Sequence, residues 1–264
     1  MIKYLLQPNS IADALALKQQ HSATSTWFAG GSKLNATPTK TDKTVAISID
    51  KLALDKIEMK NGMLHIGAMC RIQNIIDNAL TPSSLQIACG FIYSLHLRNQ
   101  STLGGEIAAF QLEPVLLPTL FALNAIVVLA DNSEVSVEDY VNDDKRELII
   151  KVIIPNPDLA CSSFNLTRSA AGLAVITAAV SIDPSGNQVI ALHGASPLHN
   201  GYSVPIRLRD VEGQNLQEEL LEQAVADAIN PVDDLCGSVA YKRYITGVII
   251  TDLVAECQQF AQEL

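Results

Sequence analysis

Two glycine pairs constrain this chain more than any other feature. Gly30-Gly31 follows the strand candidate Thr26-Trp27-Phe28-Ala29, and Gly104-Gly105 closes a second segment that also has to turn. Without Cβ atoms the backbone can fold tightly at both places, and successive N–H groups can converge there as an anion nest suited to a diphosphate. A tight turn is the competing reading of either pair taken alone. Ser32 and Thr102 put a hydroxyl beside each pair.

The surrounding pattern is that of an α+β chain. Ser10 and Asp13 form a capping box ahead of an apolar stripe running to Gln20, so a helix is expected to open the fold. Strands are expected at residues 26–29 and 45–49, a strand and turn at 64–68, a short helix at 71–78 and a longer one at 85–97. Residues 115–123 read as a buried helix with Pro118 in its first turn, and 125–129 and 147–154 as strands. Pro155-Asn156-Pro157 can join neither a helix nor a central strand and marks an internal boundary. Beyond it, 161–168, 173–182 and 189–192 read as strands, with 183–187 as a hairpin turn, followed by two striped helices. In the second of these, Tyr241 and Tyr244 are expected on the buried side.

Composition narrows the function classes. With 48% hydrophobic and 17% charged residues the chain is neither disordered nor a charge-rich coiled coil. A net charge of −10 and no basic run argue against nucleic acid as a partner. Five scattered cysteines form no close pair, which points to a reducing compartment. Residues 1–8 lack the apolar core of a signal peptide, and the longest apolar run, 115–130, is broken by Pro118 and Asn124. A soluble cytoplasmic protein without membrane contact is expected.

Other catalytic templates are missing. There is no G-x-G-x-x-G opening a helix, no G-x-x-x-x-G-K-[ST], no G-x-S-x-G and no H-E-x-x-H, so neither a metal site nor a catalytic side chain is assigned. Asp143-Asp144 and Asp233-Asp234 read as solvated carboxylates.

Taken in order, Phe28-Ala29-Gly30-Gly31-Ser32, Leu64-His65-Ile66-Gly67-Ala68, Arg98 to Gly105, Ile153-Ile154-Pro155, Arg168-Ser169-Ala170 and Ser238 to Arg243 span nearly the whole chain. They resemble the FAD-binding subunit, or medium chain, of the molybdenum hydroxylases, the group that contains xanthine dehydrogenase and carbon monoxide dehydrogenase. The resemblance implies a two-lobed FAD-binding fold like that of the vanillyl-alcohol-oxidase-type flavoproteins. Residues 1–50 would form a small α/β lobe, 51–157 a larger α+β lobe, and 158–264 a C-terminal antiparallel sheet with helices. It also implies that Ala29, Gly30, Gly31, Ser32, Lys33, Leu34, Thr102, Gly104, Gly105 and Glu106 form the FAD site. In such subunits the backbone amides of the Gly-Gly loop and of the T-x-G-G segment hold the diphosphate.

The implied function is an oxidoreductase subunit, not competent alone, that relays electrons between an iron–sulfur subunit and a molybdopterin-binding subunit on one side and an acceptor such as NAD on the other. Self-association stays open. Three positions depart from the family: Glu106 stands where an asparagine is usual, Val115 replaces an aspartate, and Asn165 takes the place of a lysine near the flavin ring. An ionised Glu106 only accepts hydrogen bonds and would repel a diphosphate that it faced. These departures keep a second reading alive, a flavin-free scaffold of the same fold. Gly31→Asp is expected to abolish flavin binding and leave the fold intact.

Overall fold

The computed structural model describes residues 1–36, 41–144, 146–169 and 172–263. A strand, not a helix, comes first: β1 (Tyr4–Leu6) precedes α1 (Ile11–Gln20), whose N-cap Ser10 accepts from the Asp13 amide at 3.1 Å. β2 (Ser25–Phe28), α2 (Ser32–Ala36) and β3 (Val45–Ser48) complete a three-stranded parallel sheet in the order β1-β3-β2. β3 is the central strand and is buried along its whole length, as in parallel sheets whose faces are both covered.

A second layer begins with β4 (Ile57–Lys60) and β5 (Met63–Gly67) and continues through α3 (Ile72–Ile76), α4 (Ser83–Gly90), α5 (Leu95–Gln100), α6 (Leu103–Ala108) and α7 (Leu117–Ala122). β6 (Ile126–Leu129), β7 (Glu134–Ser136), α8 (Val137–Asn142) and β8 (Ile149–Ile154) close it. Its strands form an antiparallel sheet in the order β4-β5-β8-β6-β7. The single helix expected at 85–97 is two: α4 stops at Gly90, and Ser94 caps a new start by accepting from the Leu97 amide. Pro118 does sit in the first turn of α7, where its missing N–H costs nothing.

The last third contains β9 (Ala160–Thr167), β10 (Ala174–Ile182), β11 (Gln188–His193), β12 (Ile206–Arg207), α9 (Arg209–Glu212), α10 (Glu218–Ala228) and α11 (Val239–Glu263). The sheet order is β12-β11-β10-β9, all antiparallel. Every residue of β10 is buried, since α7 packs on one face of this sheet and α11 on the other. The core under α7 therefore runs from Leu64, Ile66 and Ile154 to Cys161, Ala179 and Ala191, across the Pro155–Pro157 turn.

At the start of α11 the two tyrosines lie outside, contrary to expectation, although Ile249 and Leu253 further along the helix are buried. Tyr241 and Tyr244 are 42% and 66% exposed, while Lys242 between them is 2% exposed. The reason is an ion pair: Lys242 Nζ lies 2.6 Å from Asp234 Oδ2 and donates to the Val232 carbonyl at 3.0 Å, which turns this face inward. Asp233 and Asp234 are accordingly not idle solvated groups. Asp233 Oδ1 accepts from the Val239 amide at the start of α11, and Asp234 Oδ1 accepts from the Cys236 amide. Among the described residues no helix is long and apolar enough to cross a membrane.

His193 ends β11 inside the fold, with Nδ1 2.7 Å from Ser203 Oγ. Burial, and then the charge of Lys242, pull its pKa down to about 4 from 6.5. Between these values the unfolded chain binds more protons than the fold, so stability should fall as pH drops from 6.5 to about 4. This one group is expected to account for up to about 3 kcal/mol of that fall. Urea denaturation across the window should show a flatter pH dependence in His193→Gln than in the wild type; equal slopes would contradict the assignment.

Candidate functional site

The first glycine pair is where β2 leaves its sheet. The Phe28 carbonyl is taken by the Ile49 amide at 3.0 Å, Gly31 then adopts φ +74°, and the chain enters α2. From Gly30 to Leu34, five successive backbone N–H groups have no acceptor among the described residues. The first residues of a helix cannot find intrahelical acceptors, and the left-handed Gly31 stands directly before them. These amides lie in the segment Ala29 to Leu34 that the sequence suggests for a diphosphate.

The second pair is built differently. Thr102 caps α6, and Gly104 and Gly105 lie in the first helical turn. All the amides here are already used: Leu103 N–H donates to the Cys70 carbonyl at 3.0 Å, Gly104 to Ala68 at 2.9 Å, Gly105 to Thr102 Oγ1 at 3.2 Å and Glu106 to the Thr102 carbonyl at 2.9 Å. Gly104 is needed for packing, since a Cβ would come 2.8 Å from the Ala68 Cβ.

The two segments lie against each other. A Cβ on Gly30 would collide with the Gln100 carbonyl, the same oxygen that Arg71 binds through its guanidinium. Ser101 Oγ donates to Ser32 Oγ at 3.0 Å across the contact. Gly31 is equally restricted: besides its positive φ, a Cβ would meet the Phe28 ring at 2.7 Å. Gly31→Asp therefore strains the loop itself, and the expectation that it spares the fold is withdrawn.

Beside this contact opens a cavity of about 440 Å³, within the range usual for small-molecule sites. Lys33 and Glu106 line it, together with Phe91, Tyr93, Gln111, Glu113, Val115, Asn165 and Thr167. Glu106 is buried, and its Oε2 lies 3.4 Å from Lys33 Nζ. The pair offsets the repulsion that an isolated carboxylate would exert on a diphosphate. Burial, and next Glu106, push the Cys89 thiol up to about 12, so this thiol stays protonated. Asn165 Oδ1 accepts from Thr177 Oγ1 at 2.8 Å, which leaves its amide nitrogen as a donor. Glu113 Oε1 accepts from the Ala174 amide at 2.6 Å.

Arg146 anchors the wall from behind. Its guanidinium donates to the carbonyls of Ile107, Ala108 and Ala109 at the end of α6 and to Val141, and it stacks 3.9 Å from the Phe110 ring. Gln111, Glu113, Thr167 and Arg146 carry no motif that separates them from ordinary loop and strand residues, so sequence reasoning passed over them. Of the residues that it did name, Lys33 and Glu106 reach the cavity, Ala29 to Leu34 form the loop, and Thr102, Gly104 and Gly105 start α6 and pack toward Ala68 and Cys70.

Comparison with known proteins agrees with this architecture. Residues 1–157 match the family described as "FAD binding domain in molybdopterin dehydrogenase". The chain belongs to that family. It is 50% identical over 263 residues to the uncharacterized protein YgfM of Escherichia coli (strain K12), covering 100% of this chain and 99% of the relative. It is 27% identical over 210 residues to the glyceraldehyde dehydrogenase medium chain of Sulfolobus acidocaldarius, covering 72% and 73% of the two chains. In fold it matches a chain of the reconstituted CO dehydrogenase from Oligotropha carboxidovorans with a TM-score of 0.84 at 20% identity, over 98% of each.

The contact between the loops sets a measurable contrast. Ser32→Ala removes one hydrogen bond and should cost about 0.5–1.5 kcal/mol. Gly30→Ala must displace the Gln100 backbone and should cost more, about 1–3 kcal/mol. Denaturant titration of both variants checks the order; a reversed order would contradict the close approach.

Proposed function

We infer that this chain binds FAD at the Gly30–Leu34 loop and serves as the flavin-bearing subunit of an oxidoreductase. The observation that carries the reading is the run of five backbone N–H groups from Gly30 to Leu34 without acceptors among the described residues, beside a cavity large enough for part of a nucleotide. Backbone donors suit a diphosphate because they bind the anion without adding mobile charge. The residues present fit the group: the loop offers amides, Ser32 offers a hydroxyl, and the Lys33–Glu106 pair is neutral in sum.

When bound, FAD supplies the two-electron redox chemistry that no side chain of this protein provides. The protein's own contribution is to hold the diphosphate by the amides of residues 30–34. Gln100 and Ser101 hold that loop in place, and the wall of Glu106, Gln111 and Asn165 orients what enters the cavity. By analogy with the family, the electrons would pass between iron–sulfur and molybdopterin partner subunits and an acceptor such as NAD. The cysteines are all free, and four of the five are buried, which suits a reducing, cytoplasmic setting.

The purified native protein should show absorption bands near ~450 nm, and the stripped protein should bind FAD in preference to FMN by about tenfold or more, because FMN lacks the second phosphate. A folded protein without bands and without affinity for added FAD would contradict the reading and favour a flavin-free scaffold.

A further inference from the structure

The last sheet carries one residue out of pattern. Side chains alternate along a strand, so Gln188, Ile190 and Leu192 of β11 share a face. Ile190 and Leu192 lie in the apolar core with Leu221 of α10 and Val254 and Cys257 of α11. Gln188 ends that row with a carboxamide. It is 9% exposed, and its side chain has no hydrogen-bond partner among the described residues. A polar group buried this far is costly unless something supplies its hydrogen bonds.

Gln188 opens onto a cavity of about 320 Å³ at this end of the sheet. The β10–β11 hairpin, the residues that lead into α10, and Gln258 of α11 form its walls. Besides Gln188, the carboxamides of Asn215, Gln217 and Gln258 line it, and none of them has a partner among the described residues. Each offers N–H donors and a carbonyl acceptor side by side. Ile182 and Leu216 add apolar contact. This cavity is separate from the one beside the glycine loops. β10 starts in that cavity at Ala174 and ends in this one at Ile182, about 27 Å away at a rise of about 3.4 Å per residue.

The start of α10 adds donors at the rim. The N–H groups of Glu218, Glu219 and Leu220 have no acceptor among the described residues. A helix start ordinarily favours an anion, but Glu218 and Glu219 occupy this first turn, and no charged side chain lines the cavity among the described residues. The two carboxylates repel a negative ligand, so the one that fits is neutral. An amide edge meets a carboxamide at two points, donor to acceptor and acceptor to donor, which a single hydroxyl does not. The carbonyl oxygen of such an edge also suits the open N–H groups of α10.

We propose that this cavity is a second binding site, which takes a small neutral ligand with an amide edge, such as a lactam ring, read by Gln188 at its inner end. It does not rest on the flavin reading.

The test is a titration of the isotopically labelled full-length protein followed through its backbone amide resonances. The probe is 2-piperidone, with cyclohexanol and cyclohexanecarboxylate as ring-matched hydroxyl and anionic controls. The lactam should shift the amides of residues 185–188 and 215–220 saturably, with a Kd of about 10 mM or tighter for so small a molecule. Both controls should bind about tenfold more weakly or not at all. Gln188→Leu should lose the lactam about tenfold or more while its denaturant midpoint stays equal or rises, because the open amide is gone. No saturable shift in the wild type overturns the proposal. So does equal binding of either control, and so does a variant that keeps the wild-type affinity. If Gln188→Leu does not fold, Gln258→Ala on the other wall decides: a loss of affinity supports the site and an unchanged affinity overturns it.

Discussion

The site depends on how closely two pieces of backbone can approach. Where the 29–32 turn meets the Gln100 carbonyl there is no room for a Cβ, so the contact exists only because residue 30 is glycine. Arg71 holds the same carbonyl and itself borders Gly30, and the Ser101–Ser32 hydrogen bond closes the seam. With the seam shut, the amides of 30–34 have no acceptor among the described residues. A loop that stood off by even one side chain would let those amides find water or local partners and would lose the directed array.

The two glycine pairs therefore do different work although they look alike in sequence. The first exposes backbone donors, whereas the second spends its donors on Cys70, Ala68 and Thr102 and lets α6 sit directly on the strand end at Ala68. α6 then presents Glu106 to the cavity, and Arg146 holds the far end of the same helix by three carbonyls. The opposite wall comes from β9 in the last sheet, through Asn165 and Thr167. Its position is tied to α6 by the core that α7 shares between the two antiparallel sheets. Backbone closeness, helix anchoring and the common core are thus successive conditions for one cavity.

Much of this was legible in the residues. Strands and helices with long apolar periods, such as β10 and α10, follow from their patterns, and the ordered motifs point to the family. Short elements escaped: β4, β7, α8 and β12 are a few residues long and carry too little periodicity to stand out. The first turn of α11 was misread because a tyrosine is ordinarily the better core residue than a lysine, and the tertiary partner Asp234 reverses that preference there. The compensation of Glu106 by Lys33 was equally invisible, since the two positions are far apart in sequence and meet only when the seam closes. A substitution read alone looks like damage; read with its partner it is a compensated charge.

On the proposed reading the diphosphate is held by the amides of the first loop and not by those of the second. Amide hydrogen exchange of the stripped protein with and without FAD separates the two directly. The account predicts new protection at residues 30–34 and little change at 103–106, whose N–H groups are bonded within the protein already. Protection that grows at 103–106 while 30–34 stays open would contradict it.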